Sequence, residues 1–179
     1  MRFPTLFVAP LLFLGAISPA AASDKTWDDI STASEFSLVA AALLTPAVQG
    51  DWTGLGQAGL SIGVADGVTI GLKNIIDSPR PDMSDNKSFP SGHTTVAFAS
   101  ATTLYRRYGW KAGIPAYSVA ALTGVGRKLS NRHRWRDVAA GAAIGTLSGW
   151  VFTDKLNENV MLVPWADTHG GGVFFAMRW

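Results

Sequence analysis

The sequence predicts an all-α fold: a bundle of five to six main helices with closely packed Gly and Ala faces, followed by a small C-terminal β-hairpin. Three observations carry this expectation. Five apolar stretches, residues 36–48, 55–76, 94–108, 112–125 and 138–153, lack the two-residue alternation of half-buried strands and are rich in Ala, Gly and Leu. The breaks between them fall at turn formers and charge: Gly50-Asp51, the segment from Pro79 to Pro90, Gly109, and the basic run 128–136. Glycines also recur every four residues, at Gly59, Gly63, Gly67 and Gly71, and again at Gly141, Gly145 and Gly149. Residues four apart share a helix face, so each stripe is expected to let another helix approach closely.

The chain opens with Met1-Arg2, an apolar run over residues 3–17, and Ala20 and Ala22 in an A-x-A pattern before Ser23. This layout predicts a signal peptide over residues 1–22 and a single domain over residues 23–179. The expected location is then the periplasm or the exterior. The alternative is an inner-membrane protein of six spans with its site facing the periplasm, because residues 3–22 are also about long enough to cross a bilayer. Against spans, four of the five apolar runs have no more than 16 residues, and the longest contains Asp66.

Residues 23–35 are polar and acidic and lead into the first helix. At the other end, residues 159–165 and 173–179 flank Asp167, Thr168 and three glycines, which predicts the hairpin in a tail over residues 158–179. Trp110, Trp135, Trp150, Trp165 and Trp179 read first as core residues and second as interfacial anchors.

Composition bounds the function. The 179 residues are 47% hydrophobic and 16% charged, enough for one core and against wholesale disorder. Cys is absent, which excludes a disulfide framework, thiolate metal sites and a cysteine nucleophile. The net charge of +2 argues against a nucleic-acid partner, so any basic site must be a local cluster.

Three such clusters sit at helix ends. Lys73 is followed seven residues on by Arg80-Pro81, with Asp77 spaced to pair with Lys73. Pro90-Ser91-Gly92-His93 opens the third helix, with Ser91 suited to an N-cap and Gly92 to close approach of a ligand; a helix start favours an anion. Five residues separate Gly126-Arg127 from His133, and Asp137 follows His133 at i+4, where a carboxylate can fix the imidazole tautomer. Taken singly, each also reads as ordinary helix-end or surface chemistry.

In this order and spacing the clusters resemble the three signature motifs of the type 2 phosphatidic acid phosphatase superfamily. That group includes lipid phosphate phosphatases, isoprenoid pyrophosphate phosphatases, class A acid phosphatases and vanadium haloperoxidases. The resemblance spans residues 73–137 and implies roles. His133 would be the nucleophile that forms a phosphohistidine, Asp137 would orient it, and His93 would protonate the leaving group. Lys73, Arg80, Arg127 and the Ser91 and Gly92 groups would hold the phosphoryl oxygens. One departure is Gly126, where the family usually carries Ser.

Phosphoryl transfer needs charge stabilisation on the equatorial oxygens and an in-line nucleophile and leaving group. Three cations with a helix N-terminus suit the first need and two histidines the second, so neither a metal nor a cofactor is expected. The expected function is a metal-independent phosphatase of phosphate monoesters or pyrophosphates, with a lipid or isoprenoid phosphate favoured as substrate and some association with a membrane surface. A soluble acid phosphatase, a vanadate-dependent haloperoxidase and a non-catalytic phosphate-binding or membrane-associated protein are the alternatives.

Overall fold

The computed structural model describes residues 22–154, together with the backbone of residues 160–167 and 170–177. Residues 1–21, on which the signal-peptide expectation falls, lie outside the described residues. Five helices form the bundle: α1 (Asp24–Val48), α2 (Trp52–Ile75), α3 (Gly92–Tyr108), α4 (Trp110–Leu129) and α5 (Trp135–Phe152). After them the backbone of β1 (Val160–Asp167) runs antiparallel to that of β2 (Gly170–Met177), with Val160 opposite Met177 and Asp167 opposite Gly170.

Each apolar stretch is a helix, but the helices outrun the apolar stretches. Helix α1 starts twelve residues before its apolar run, where the Ser23 side chain caps the helix by accepting from the Thr26 N–H. Its buried positions Ser31, Ser34, Leu38, Ala41, Ala42 and Thr45 keep helical spacing throughout; only their polarity changes. Helix α4 likewise continues through Arg127 and Lys128. The 24 residues of α2 extend about 36 Å at 1.5 Å per residue, which exceeds the roughly 30 Å of a bilayer core. Among the described helices α1 and α2 are long and apolar enough to cross a membrane, while α3 and α5, with 17 and 18 residues, stay short of the roughly 20 a span needs.

Helix α3 is the axis of the bundle and packs against the other four. The core is built from small side chains: Leu38, Ala41, Ala42, Ala97, Ala101, Leu104, Ala116, Val119 and Ala120. The Gly141/Gly145/Gly149 stripe permits this density. A Cβ on Gly145 would lie 2.2 Å from the Thr95 carbonyl oxygen, and one on Gly141 2.6 Å from that of Ser91. The other stripe does not behave as expected. Gly59, Gly63, Gly67 and Gly71 are exposed, and a Cβ on any of them would meet no atom within 4 Å among the described residues.

Large apolar side chains instead lie outside. Leu44, Ile70, Ile114 and Leu147 are all exposed on the flanks of the bundle, as are Trp52, Trp110 and Trp150. The three tryptophans occupy the end opposite the third and second clusters, because α2 and α4 begin there and α5 ends there. Trp110, Trp135 and Trp150 are thus surface residues, and core packing, the favoured expectation for them, does not hold. The side chains of Trp165 and Trp179 lie outside the described residues.

Candidate active site

The three basic clusters converge at one end of the bundle. Helix α2 ends there with Lys73 in its last turn, α4 ends there with Arg127, and α3 and α5 begin there. Backbone hydrogen bonds tie the pieces together. Ser91 N–H donates to the Asp137 carbonyl (3.0 Å), His133 N–H to the Arg127 carbonyl (3.1 Å), and Asp82 N–H to the Asn131 carbonyl (3.1 Å). The Thr69 hydroxyl of α2 donates to that of Thr95 on α3 (3.1 Å).

His133 lies in the short connection between α4 and α5 and is 2% exposed. Its Nε2 is 3.4 Å from Arg80 Nη1. Its Nδ1 faces Asp137 Oδ2 at 3.8 Å, too far for a hydrogen bond. That oxygen is already taken by the Ser88 hydroxyl (2.6 Å) and by the Arg134 N–H (2.8 Å), which caps α5. Burial first, then the charges of Arg127, Arg80 and Lys73, push the His133 imidazole down to about 3, against the opposing pull of Asp137. The ring is therefore neutral at physiological pH, and its Nε2 lone pair faces the Arg80 guanidinium.

His93, in the first turn of α3, feels the same three cations. Its Nε2 approaches Thr32 Oγ1 (3.3 Å) and Glu35 Oε2 (3.4 Å), both on α1. Lys73 Nζ donates to the Lys87 carbonyl (2.6 Å), so the expected pair with Asp77 is not what holds it; α2 ends before Asp77. Arg80 donates through Nε to Asp85 (2.8 Å), which leaves its Nη1 directed at His133. Arg127 is ion-paired with Asp28, which also meets Arg132 at 3.4 Å. Ser91 occupies the N-cap position of α3, but its buried hydroxyl pairs with Thr94 Oγ1 (2.9 Å) and does not cap the helix. Gly92 abuts Lys73, whose Cε would lie 4.0 Å from a Cβ added there.

Two imidazoles, three cations and a helix N-terminus thus gather at one end of the bundle, an arrangement that favours an anion. The family model of the PAP2 superfamily matches residues 54–161 of this chain, which contain all three clusters. The chain belongs to the PAP2 superfamily.

Its PAP2 relatives include a lipid A 4'-phosphatase of Helicobacter pylori, 31% identical over 146 residues that cover 72% of this chain and 74% of the relative. A lipid A 1-phosphatase of Porphyromonas gingivalis is 45% identical over 94 residues, 46% of this chain but 21% of the relative, so the chain spans about a fifth of that protein's length. Among solved structures, the LpxE protein of Aquifex aeolicus is similar with a TM-score of 0.63 and 24% identity, over 76% of this chain and 87% of that one. A transmembrane PAP2-type phosphatidylglycerolphosphate phosphatase of Bacillus subtilis has a TM-score of 0.60 at 22% identity, over 76% and 77% of the two chains. These two likenesses establish the PAP2 fold.

Outside the signature clusters, sequence reasoning missed Ser88, and it missed Asp28, Thr32 and Glu35 on α1. Ser88 stands one residue before the Phe89-Pro90 dipeptide and has no helical or motif spacing to Asp137. The α1 residues did carry a signal, since Asp28, Thr32 and Glu35 recur at helical spacing and share one face of the helix. The Gly126 departure also gains a reason. A Cβ there would lie 2.8 Å from Ser31 Cβ and 3.1 Å from the Trp27 carbonyl oxygen, so glycine lets α1 close over the site.

Proposed function

We propose that this chain is a lipid-phosphate phosphatase that works through a phosphohistidine on His133, from a helical bundle seated in a lipid bilayer. The observation that carries the reading is that Lys73, Arg80 and Arg127 stand at the same end of the bundle as His93 and His133, tied by the backbone hydrogen bonds from Ser91 to Asp137 and from His133 to Arg127 and by the 3.4 Å approach of Arg80 Nη1 to His133 Nε2. One phosphoryl group held by those three cations would lie between the two rings.

In this mechanism the neutral His133 attacks phosphorus through Nε2, the nitrogen on the Arg80 side. The P–O bond to the leaving group breaks as the N–P bond forms, and His93 gives its proton to the departing oxygen. Charge on the equatorial oxygens is met by Lys73, Arg80, Arg127 and the N–H groups at the start of α3. Asp137 stabilises the imidazolium that His133 becomes. Water then attacks the phosphohistidine, with His93 accepting its proton, and phosphate leaves.

A lipid substrate fits the molecule's exterior. Residues 36–48, 52–72, 94–105, 112–126 and 138–152 contain one charged residue, Asp66. The exposed side chains on these stretches are apolar or small, while hydroxyls such as Thr69, Thr95, Thr102 and Thr123 are buried. That is the reverse of a water-facing bundle and suits hydrocarbon outside. Trp52, Trp110 and Trp150 then ring the far end at interfacial depth, where Arg106 stacks 4.3 Å over Trp150. This favours the inner-membrane alternative over a soluble periplasmic domain. The named relatives, lipid A phosphatases among them, support a phosphorylated lipid headgroup as substrate.

The test is phosphate release by the detergent-solubilised full chain, with EDTA present, from lipid A, phosphatidic acid, an isoprenyl diphosphate and glycerol phosphate. Turnover of a lipid substrate in EDTA, its loss in His133→Ala, and an acid-labile, base-stable phosphoenzyme are expected. Preference for glycerol phosphate would overturn the lipid reading, and full activity in His133→Ala would overturn the mechanism.

A further inference from the structure

We propose that Glu35, with Thr32, is a positioning residue for His93, holding its Nε2 from α1 and supplying the counter-charge that lets this ring carry the leaving-group proton. The inference rests on the phosphatase reading above and adds a fourth element to the site. Helix α1 precedes the residues matched by the family model, and none of the three signature clusters includes it.

The geometry is specific. Thr32 and Glu35 are three residues apart on α1 and reach the same atom, His93 Nε2, at 3.3 and 3.4 Å. Both contacts to α1 use Nε2, so Nδ1 is left for the substrate side. The Glu35 side chain is 14% exposed, and a carboxylate is seldom withdrawn that far without a partner. The charged groups that act on this pair are Arg127 and Asp66 on Glu35, and Arg127, Asp28, Arg80 and Lys73 on His93.

Burial pushes the Glu35 carboxyl up to about 7 and the His93 ring down to about 4, so between those values one proton serves the touching pair, and a charge argument gives Glu35 its role. A general acid must be protonated before it can give a proton, and Lys73, Arg80 and Arg127 all oppose a fourth positive charge on His93. A carboxylate in contact with Nε2–H opposes that repulsion and fixes the ring plane at the same time. In the transfer step the Nδ1 proton passes to the ester oxygen as its bond to phosphorus breaks. The imidazole is left neutral, with Nε2–H still facing Thr32 Oγ1 and the Glu35 carboxyl.

A residue that acts through the general acid matters in proportion to the leaving group's need for a proton. The test therefore compares p-nitrophenyl phosphate, whose leaving group departs unaided, with an alkyl or lipid phosphate, using the solubilised full chain. Glu35→Gln is expected to lower kcat about 10²-fold on the alkyl substrate and to leave p-nitrophenyl phosphate nearly unchanged. His93→Ala should lower both activities, because that ring also takes the proton of the water that attacks the phosphohistidine, and Glu35→Asp should restore part of the alkyl activity. Equal losses on both substrates in Glu35→Gln, or no loss on either, would overturn the inference while leaving the phosphatase reading standing. A wild-type chain inactive on both substrates would remove both. If Glu35→Gln does not fold, Thr32→Val carries the same comparison with a smaller split expected, and a uniform effect there would overturn the role of α1.

Discussion

His133 Nδ1 and Asp137 Oδ2 face each other across 3.8 Å, one residue buried beside the other, with no hydrogen bond between them. Nδ1 and the second carboxylate oxygen, Oδ1, make no hydrogen bond among the described residues, and Arg136 Nε comes within 3.5 Å of Oδ1. The oxygen nearest the ring is held instead by Ser88 and the Arg134 N–H. Asp137 is thus anchored as the cap of α5 first and stands as a neighbour of the nucleophile second. A shift of less than 1 Å would close the gap once His133 takes on positive charge. Replacing Asp137 by Asn keeps the shape and removes the charge, so kcat should fall by about 10²–10⁴. Ser88→Ala should cost stability, on the order of 1.5–3 kcal/mol for a hydrogen bond to a buried carboxylate. Thermal unfolding and steady-state kinetics on both variants check this; a Ser88→Ala protein with the melting temperature of the parent would refute the anchoring role.

The depressed affinity of His133 for protons sets a pH dependence. Its folded value, about 3, lies below the 6.5 of a free imidazole. Between those values the unfolded chain binds a proton that the folded chain does not, so this group's contribution is complete above pH 6.5 and is lost as pH falls toward 3. Thermal unfolding between pH 7.5 and 4.5 should therefore show a smaller acid loss in His133→Asn than in the parent chain. The same property keeps the ring nucleophilic in acid. The ring-nitrogen NMR shifts of His133 should remain those of a neutral imidazole at pH 5, where an ordinary histidine is mostly protonated, and imidazolium shifts at pH 5 would contradict the assignment.

Gly126 shows where the sequence was legible and where it was not. The five helices were readable because apolar runs and turn formers agree, and the site clusters because their spacing survives in one dimension. What α1 does was not, because its first turns are polar and its partners lie nearly a hundred residues away: Asp28 pairs with Arg127, and Ser31 packs on Gly126. The departure from Ser at 126 reads in sequence as a lost hydroxyl; in the fold it is room for α1. Gly126→Ser should push α1 off the site and cost about 1–3 kcal/mol through overpacking. Adding Ser31→Gly should recover part of the loss. Thermal unfolding of the single and double variants decides this, and a Gly126→Ser protein as stable as the parent would contradict the packing account.

The two glycine stripes look alike in sequence and differ in the fold, since spacing identifies a face without saying what covers it. Gly145→Ala places a methyl 2.2 Å from the Thr95 carbonyl oxygen and should separate α5 from α3, with a large fall in melting temperature. Gly63→Ala meets nothing within 4 Å among the described residues and gains helix propensity. It should be neutral or stabilising by roughly 0.5–1 kcal/mol. A strongly destabilised Gly63→Ala would mean that another helix rests on the α2 stripe.

The bilayer placement is testable with unusual clarity because the chain contains no cysteine, so any single introduced thiol is a unique label. Leu44, Ile114 and Leu147 are 54%, 62% and 65% exposed, on three different helices. Ser84 is exposed in the connection between α2 and α3 at the site end. Spin labels at Leu44→Cys, Ile114→Cys and Leu147→Cys in reconstituted vesicles should relax with dissolved oxygen and ignore a water-soluble nickel chelate. A label at Ser84→Cys should do the opposite. The contrast follows from partitioning, since hydrocarbon admits oxygen and excludes the chelate. If the three helix labels met the chelate freely, the apolar flank would face water and the bundle would stand beside the membrane. The lipid headgroup would then have to leave the bilayer to reach His133.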